Sequence, residues 1–498
     1  MSGPAHRLVV GVEVHFQLAT RTKAFCACPV AFGAEPNSLV CPVCLGHPGA
    51  LPVLNREALE AAIRGGLALG CSVAPRGKVQ WDRKNYFYPD LPKGYQITQY
   101  AHPVCEDGGV VLSGGTRVRV RRAHLEEDTG KSSHAEDGAT LVDFNRCGTP
   151  LLEVVTDPLD PATPELVEEY LRVLQGRLRL ASASDAAMEK GQMRCEPNVS
   201  LARADGSSTG ISELKNLNSF AAVRDAVAHE AARLAAGPWH PPGAALPRAT
   251  YGWDDAGRRT VLQRAKETAA DYRYFPEPDL PVLPADAIEP MAVRAREALA
   301  RAEAAQAKAA GTAKEDAARF GLTPEQADAL LVRDVTGGRF RGAVAAAAGA
   351  GVPEGESGPA LAAWFLGPLA GWVNARGGDW SAFRPGPGEV AAALALQRSR
   401  KATAQVVKEH LLQGDWPGTG GDPKALLSAK GLLGGAAGED SVRAACAEVV
   451  AANADIVAKI RAGKGAAKAA LVGQVMKRTR GTADPARVGA LLDELLRG

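Results

Sequence analysis

Up to about residue 295 the chain is built of short alternating or clustered apolar runs. LVVGVEVHF (8–16), VRVRRAHLE (118–126), LVDF (141–144) and LLEVVT (151–156) predict β-strands. Helices are interspersed. Pro164 opens one at its first turn, with Thr163 as N-cap, and it is expected to run to about Leu178. From about residue 296 the spacing becomes helical and Ala-rich, as in VRAREALARAEAAQAKAA, PEQADALLV and PALAAWFLGPLAGWV. A helical bundle is expected there. Residues 414–423, GDWPGTGGDP, read as a Gly/Pro-rich linker before a small helical tail.

The chain has 498 residues, which implies two to four domains. Hydrophobic residues make up 46% and charged residues 23%, ordinary for a globular protein and unlike a disordered one. No apolar run of about 18 residues is present, so no membrane span is expected, and MSGPAHRLVVGVEVHFQ does not read as a signal peptide. A cytoplasmic location is expected. The formal net charge is +2, which excludes an overall basic coat; nucleic-acid contacts would have to be local patches. One such patch is the tail, where residues 456–498 carry nine Lys and Arg against three Asp and Glu. A solvated helical surface is the alternative for that run. Neither a GxxxxGK[ST] loop nor a GxGxxG after a strand is present, and there is no solenoid repeat.

Nine cysteines without an export signal argue against a disulfide framework. Four of them, Cys26, Cys28, Cys41 and Cys44, form two close pairs split by a loop. That pattern suits a tetrahedral ion, zinc before others, in a closed structural knuckle. Four reduced thiols stiffening a loop are the alternative. The other five cysteines read as buried.

On the first strand Glu13 and His15 share a face, as half a divalent-ion site, an acid/base pair or a satisfied structural pair. The segment His124-Leu125-Glu126-Glu127-Asp128 stacks three acids after a strand, either as loop acids or as cation ligands. Glu153 stands alone in the apolar run LLEVV. His15, Glu127 and Glu153 together would supply one nitrogen and two carboxylates to Mg²⁺ or Mn²⁺. The segment from Asp82 to Gln96 interleaves basic residues with aromatics, which suits stacking on bases beside phosphate, or else a tyrosine-packed loop. Residues 81–100 hold six of the 26 aromatic residues of the chain. Residues 193–200, 213–220 and 271–279 combine charge with Asn or aromatics, as contacts to phosphate, ribose or carboxylate do.

The runs GVEVHFQLATRTKAFCAC, CPVCLGHPGALPVLN, DRKNYFYPDLPKGYQITQY, HLEEDTGK, VDFNRCGTPLLEVVTDP, MEKGQMRCEPNVS, ELKNLNSF and DYRYFPEPDLP, and the tail LVGQVMKRTRGTADPARV, resemble in order and spacing the B subunits of the aspartyl/glutamyl-tRNA amidotransferases. The resemblance implies an α+β multidomain chain. Residues 1–295 would form a cradle-shaped α/β catalytic domain with a zinc knuckle, 296–420 a helical domain and 421–498 a tRNA-binding tail. It implies a ligase that uses ATP and Mg²⁺ to phosphorylate the side-chain carboxylate of Glu-tRNA(Gln) or Asp-tRNA(Asn), then amidates it with ammonia. The implied partners are a glutaminase A subunit and a small C subunit in a heterotrimer, the mischarged tRNA, and a non-discriminating aminoacyl-tRNA synthetase. It assigns Mg²⁺ to His15, Glu127 and Glu153, catalytic or orienting roles to Glu13, Glu126 and Glu127, and the ammonia path to Lys84 and Lys93. It assigns nucleotide or substrate contacts to Asn198, Glu213, Lys215 and Asn216, and structural Zn²⁺ to Cys26, Cys28, Cys41 and Cys44. This chain departs from the family pattern at Glu196-Pro197, Gly210-Ile211-Ser212 and Ala469-Ala470. Two rival readings are a non-catalytic tRNA-binding zinc protein, which would not need the His15, Glu127 and Glu153 set, and a small-molecule carboxylate kinase, which would not need a basic tail.

Overall fold

The computed structural model describes residues 6–135, 138–266, 272–331, 334–376, 380–433, 439–461, 467–479, 483 and 485–497. Asp271 of the aromatic segment, and Lys464, Arg480 and Asp484 of the basic tail, lie outside them. The chain divides into two compact units, Met1–Ala304 and Ala305–Gly498.

The first unit is organised by a twelve-stranded sheet. Its main path runs Arg259–Lys266, Arg248–Asp254, Ile211–Lys215, Met193–Ala202, Arg7–Gln17, Pro150–Thr156, Arg117–Glu127, Cys105–Val111 and Ser72–Val73. Neighbours are antiparallel except Ile211–Lys215 with Arg248–Asp254. The central strand Arg7–Gln17 shows why one face is a core and the other a site. Val10, Val12, Val14 and Phe16 are fully buried on one side, and Glu13 and His15 stand on the other. Helices Arg56–Ala68, Pro164–Leu180 and Phe220–Ala235 contribute their apolar stripes to the same core. Thr163 caps Pro164–Leu180 as expected, its hydroxyl accepting from the Leu166 amide at 3.1 Å. Gly66 permits close approach of helix to sheet: a Cβ there would lie 2.2 Å from Cys105 Sγ. The expected strand at 141–144 is Thr140–Asp143, which pairs in a separate hairpin with Lys131–His134.

The second unit is helical. Helix Ala285–Phe320 starts earlier than the expected change of texture near 296, with Pro290 in its first two turns masking the period, and the boundary between the units falls inside it. Two hydrophobic clusters follow. One gathers Phe320, Phe340, Phe365, Trp380, Phe383 and Trp416, and the other runs from Val442 to Leu496. The expected linker at 414–423 is packed rather than loose. Trp416 is buried in the first of these clusters and its indole donates to the Gly421 carbonyl at 2.9 Å, while the Arg384 amide donates to the Pro417 carbonyl at 2.8 Å. Burial of one large indole outweighs the loop composition around it. The architecture is therefore α+β, a large sheet followed by helical regions. No described helix is long and apolar enough to cross a membrane.

Candidate active site and metal centres

Cross-strand register builds the site. Directly opposed residues on antiparallel neighbours project from the same face. Glu153 faces both His15 and His124, His15 faces Arg194, and Glu13 faces Glu196. One row of ionisable side chains therefore crosses four strands. His15 Nε2 lies 3.3 Å from Glu126 Oε1, 3.6 Å from Glu13 Oε1 and 3.7 Å from Glu153 Oε2. His124 Nε2 lies 3.3 Å from Glu153 Oε2 and 4.0 Å from Glu126 Oε2. His124, Glu126 and Glu153 are all buried. These are not loop acids; they belong to strands Arg117–Glu127 and Pro150–Thr156.

The electrostatics follow from crowding three carboxylates in one place. Burial and the neighbouring Glu153 charge push Glu13 up to about 7. Burial works against a charged His15, but the nearby Glu126 and Glu153 carboxylates hold its imidazolium well above the ordinary range. Burial likewise works against a charged Glu153, and His124 and His15 hold its carboxyl well below the ordinary range. Carboxylate oxygens and imidazole nitrogens 3.3 to 4.0 Å apart have the donor chemistry and spacing of a divalent-cation shell with bonds of about 2.0–2.6 Å. Glu13, His15 and Glu153 form one such three-donor group, and His124, Glu126 and Glu153 another.

Glu127 does not join His15 and Glu153, contrary to the expectation. Strand alternation sends it to the opposite side from Glu126. There its carboxylate pairs with Lys93 and accepts from the Ile97 amide at 2.9 Å. Glu126 occupies the expected place. Lys84 sits by the cluster. Burial opposes its charge, yet Glu126 and Glu153 raise its ammonium above the ordinary range, and its Nζ lies 4.9 Å from the Tyr272 ring centroid. The two lysines are thus separated, Lys84 with the acid cluster and Lys93 with Glu127.

The remaining expected contacts extend the same polar face. Asn198 is register partner to Glu213, whose carboxylate accepts from Thr250 at 2.8 Å. Lys215 donates to Glu196 at 2.9 Å, and burial of its ammonium is outweighed by Glu196 and Glu213, which raise it. Asn216, at the strand end, takes a positive φ of 63°. Two site residues are read from the sequence only as parts of segments and given no role of their own: His124 and Arg194, the latter bonded to Asp128 at 2.8 Å. The period-two step His124–Glu126 was the signal that marked the first.

Cys26, Cys28, Cys41 and Cys44 converge, all four sulfurs within 4.8 Å of one another and those of Cys41 and Cys44 3.9 Å apart. A tetrahedron with Zn–S bonds of about 2.3 Å needs sulfurs about 3.8 Å apart, so the set fits a structural metal of zinc type. A hydrogen bond from Cys26 and the charge of Lys23 push the Cys44 thiol down to about 4. Lys23 is fully buried with its ammonium 3.5 Å from Cys44 Sγ, an internal countercharge for thiolates. The five other cysteines are buried and free.

Residues 8–288 match the GatB/GatE catalytic domain and residues 350–496 the GatB domain. The chain is 42% identical to the aspartyl/glutamyl-tRNA(Asn/Gln) amidotransferase B subunit of Rhodococcus jostii, over 98% of this chain and 95% of that protein. It is 42% identical to the protein of the same name from Thermus thermophilus, over 99% of both chains, and 43% identical to that of Mycolicibacterium smegmatis, over 97% and 94%. With its matching sheet domain, cysteine knuckle and acid-lined face, the chain belongs to the family of aspartyl/glutamyl-tRNA(Asn/Gln) amidotransferase B subunits.

Proposed function

We propose that this chain is the ATP-dependent ligase subunit of a cytoplasmic tRNA amidotransferase. It acts on Glu-tRNA(Gln) or Asp-tRNA(Asn) with a glutaminase subunit, a small third subunit and a non-discriminating aminoacyl-tRNA synthetase as partners. The observation that carries this reading is the cluster of Glu13, His15, Glu126, Glu153 and His124 on one sheet face, the last three of them buried. A carboxylate resists attack by ammonia, because oxide would have to leave. A side-chain oxygen therefore attacks the γ-phosphorus of ATP, the bond from phosphorus to the ADP oxygen breaks, and an acyl phosphate results. Ammonia then attacks the carbonyl carbon and inorganic phosphate departs. His15, Glu126 and Glu153, with Glu13 beside them, would hold Mg²⁺, which when bound neutralises phosphate charge. Asn198, Glu213, Lys215 and Asn216 lie where the same face continues and would contact nucleotide or substrate. The Lys93–Glu127 pair, apart from the His15 cluster, would take a proton from ammonium, since only neutral ammonia is nucleophilic. Zn²⁺ in the cysteine knuckle is structural.

The test is reconstitution with both partner subunits, ATP, Mg²⁺, glutamine and each mischarged tRNA. Gln-tRNA(Gln) or Asn-tRNA(Asn) should form with ADP and phosphate. If neither amidated product appears, the assignment fails.

A further inference from the structure

Strand Arg117–Glu127 changes face part-way along. Its register against Pro150–Thr156 shifts between Val155, opposite Arg122, and Thr156, opposite Val120. The extra residue lets Val118 and Val120, then Ala123 and Leu125, all enter the core. Arg122 is thereby turned to the side that carries His124 and Glu126. Arg119 and Arg121 remain exposed and pair with Asp157.

The Arg122 guanidinium is largely buried but, among the described residues, donates no hydrogen bond. Its Nη2 lies 3.8 Å from Glu153 Oε1, beyond hydrogen-bond length, and its Nε is enclosed without an acceptor. Other arginines of the same unit donate to carboxylates. Arg83 forks onto Glu277 with two bonds of 2.8 Å, Arg76 forks onto Glu106 with two of 2.7 Å, and Arg194 holds Asp128. The Cζ of Arg122 lies 5.8 Å over the Tyr100 ring, which is stacked on Tyr274 at 4.2 Å. Ring contact orients the plane of the guanidinium and leaves its N–H edges free. A fixed fork with unused donors, next to an acid that would carry the cation, is complementary to a tetrahedral oxyanion bridging the two.

We propose that Arg122 binds the transferring phosphoryl group. This rests on the function proposed above. As the carboxylate oxygen–phosphorus bond forms and the bond from phosphorus to the ADP oxygen breaks, charge spreads over the three non-bridging oxygens. Arg122 donates to them from beside the acid cluster, without reorganisation.

The experiment uses the full chain with its partner subunits and Glu-tRNA(Gln) or Asp-tRNA(Asn), with ammonium chloride as nitrogen source so that the glutaminase is bypassed, and reads ADP release and amidation. Arg122→Ala should lower kcat by about 10²–10³ with the KM for the aminoacyl-tRNA unchanged, and millimolar guanidinium should restore part of it. Arg122→Lys should stay below wild type, because an ammonium cannot reproduce the fork. Arg121→Ala, on the outer side of the same strand, should behave as wild type. An Arg122→Ala rate within about threefold of wild type overturns the proposal, and so does a loss that guanidinium leaves untouched. If the wild type itself releases no ADP with either tRNA, the underlying function fails and this proposal with it. A normal wild type with an indifferent Arg122→Ala fails this proposal alone.

Discussion

Glu126 and Glu127 are adjacent in sequence, yet one lies 3.3 Å from His15 and the other bonds the Ile97 amide and Lys93. A pleated strand separates successive side chains by its full thickness, so neighbours of the same chemistry meet different partners. Mn²⁺ binding, followed by electron paramagnetic resonance, should separate them. Glu126→Gln is expected to weaken Mn²⁺ at least about tenfold, while Glu127→Gln binds it as wild type does and loses ammonia-dependent turnover. Equal Mn²⁺ affinity in the two variants would contradict the placement. His15→Ala should behave as Glu126→Gln does and leave tRNA binding intact.

Helix Phe220–Ala235 is tied to the sheet by one buried acid. Glu230 accepts from Arg233 Nη2 at 2.5 Å and from the Thr260 hydroxyl at 2.7 Å, and Arg233 also reaches Ser212 at 3.2 Å. Burial would raise the Glu230 carboxyl, but Arg233, Ser212 and Thr260 hold it below its ordinary 4.5. A carboxyl lowered on folding adds stability that is fully present above the unfolded value and is lost as pH falls through the folded one. Glu230→Gln should therefore cost about 1–3 kcal/mol near neutrality and make the acid side of a Tm against pH curve shallower. An unchanged slope between about pH 3 and 5 would remove Glu230 from that role. At the sheet edge, Gly66→Ala should destabilise by about 1–3 kcal/mol in a thermal melt, since its Cβ would meet Cys105 Sγ at 2.2 Å.

At the scale of the whole molecule, a net charge of +2 averages an acidic sheet face with a basic tail. Removing the tail tests the second of these. The cut belongs after residue 433, because Trp416, Leu427 and Leu432 are buried in the preceding hydrophobic cluster. Loss of residues 434–498 should weaken tRNA binding and reduce the slope of log affinity against log salt. Unchanged affinity across a salt titration would count against the tail as an RNA contact. A cut at 421 should in addition lower the Tm of what remains, by stripping apolar side chains from that cluster.

Local spacing was enough for much of this. Alternation set the central strand and put Glu13 with His15 on one face, and the Thr163-Pro164 pair marked a helix start. The close cysteine pairs announced a tetrahedral site, since chelation needs only short loops. What spacing could not reach was anything decided by partners distant in the chain. Which of Glu126 and Glu127 meets His15 depends on strands more than a hundred residues apart coming into register. The aim of Arg122 depends on one shifted pairing, and the packing of residues 414–423 on a tryptophan finding a core built by other helices. Periodicity is a property of the chain, whereas register and burial arise only when elements meet, so the kinds of residue at the site were legible in the sequence and their pairing was settled by the fold.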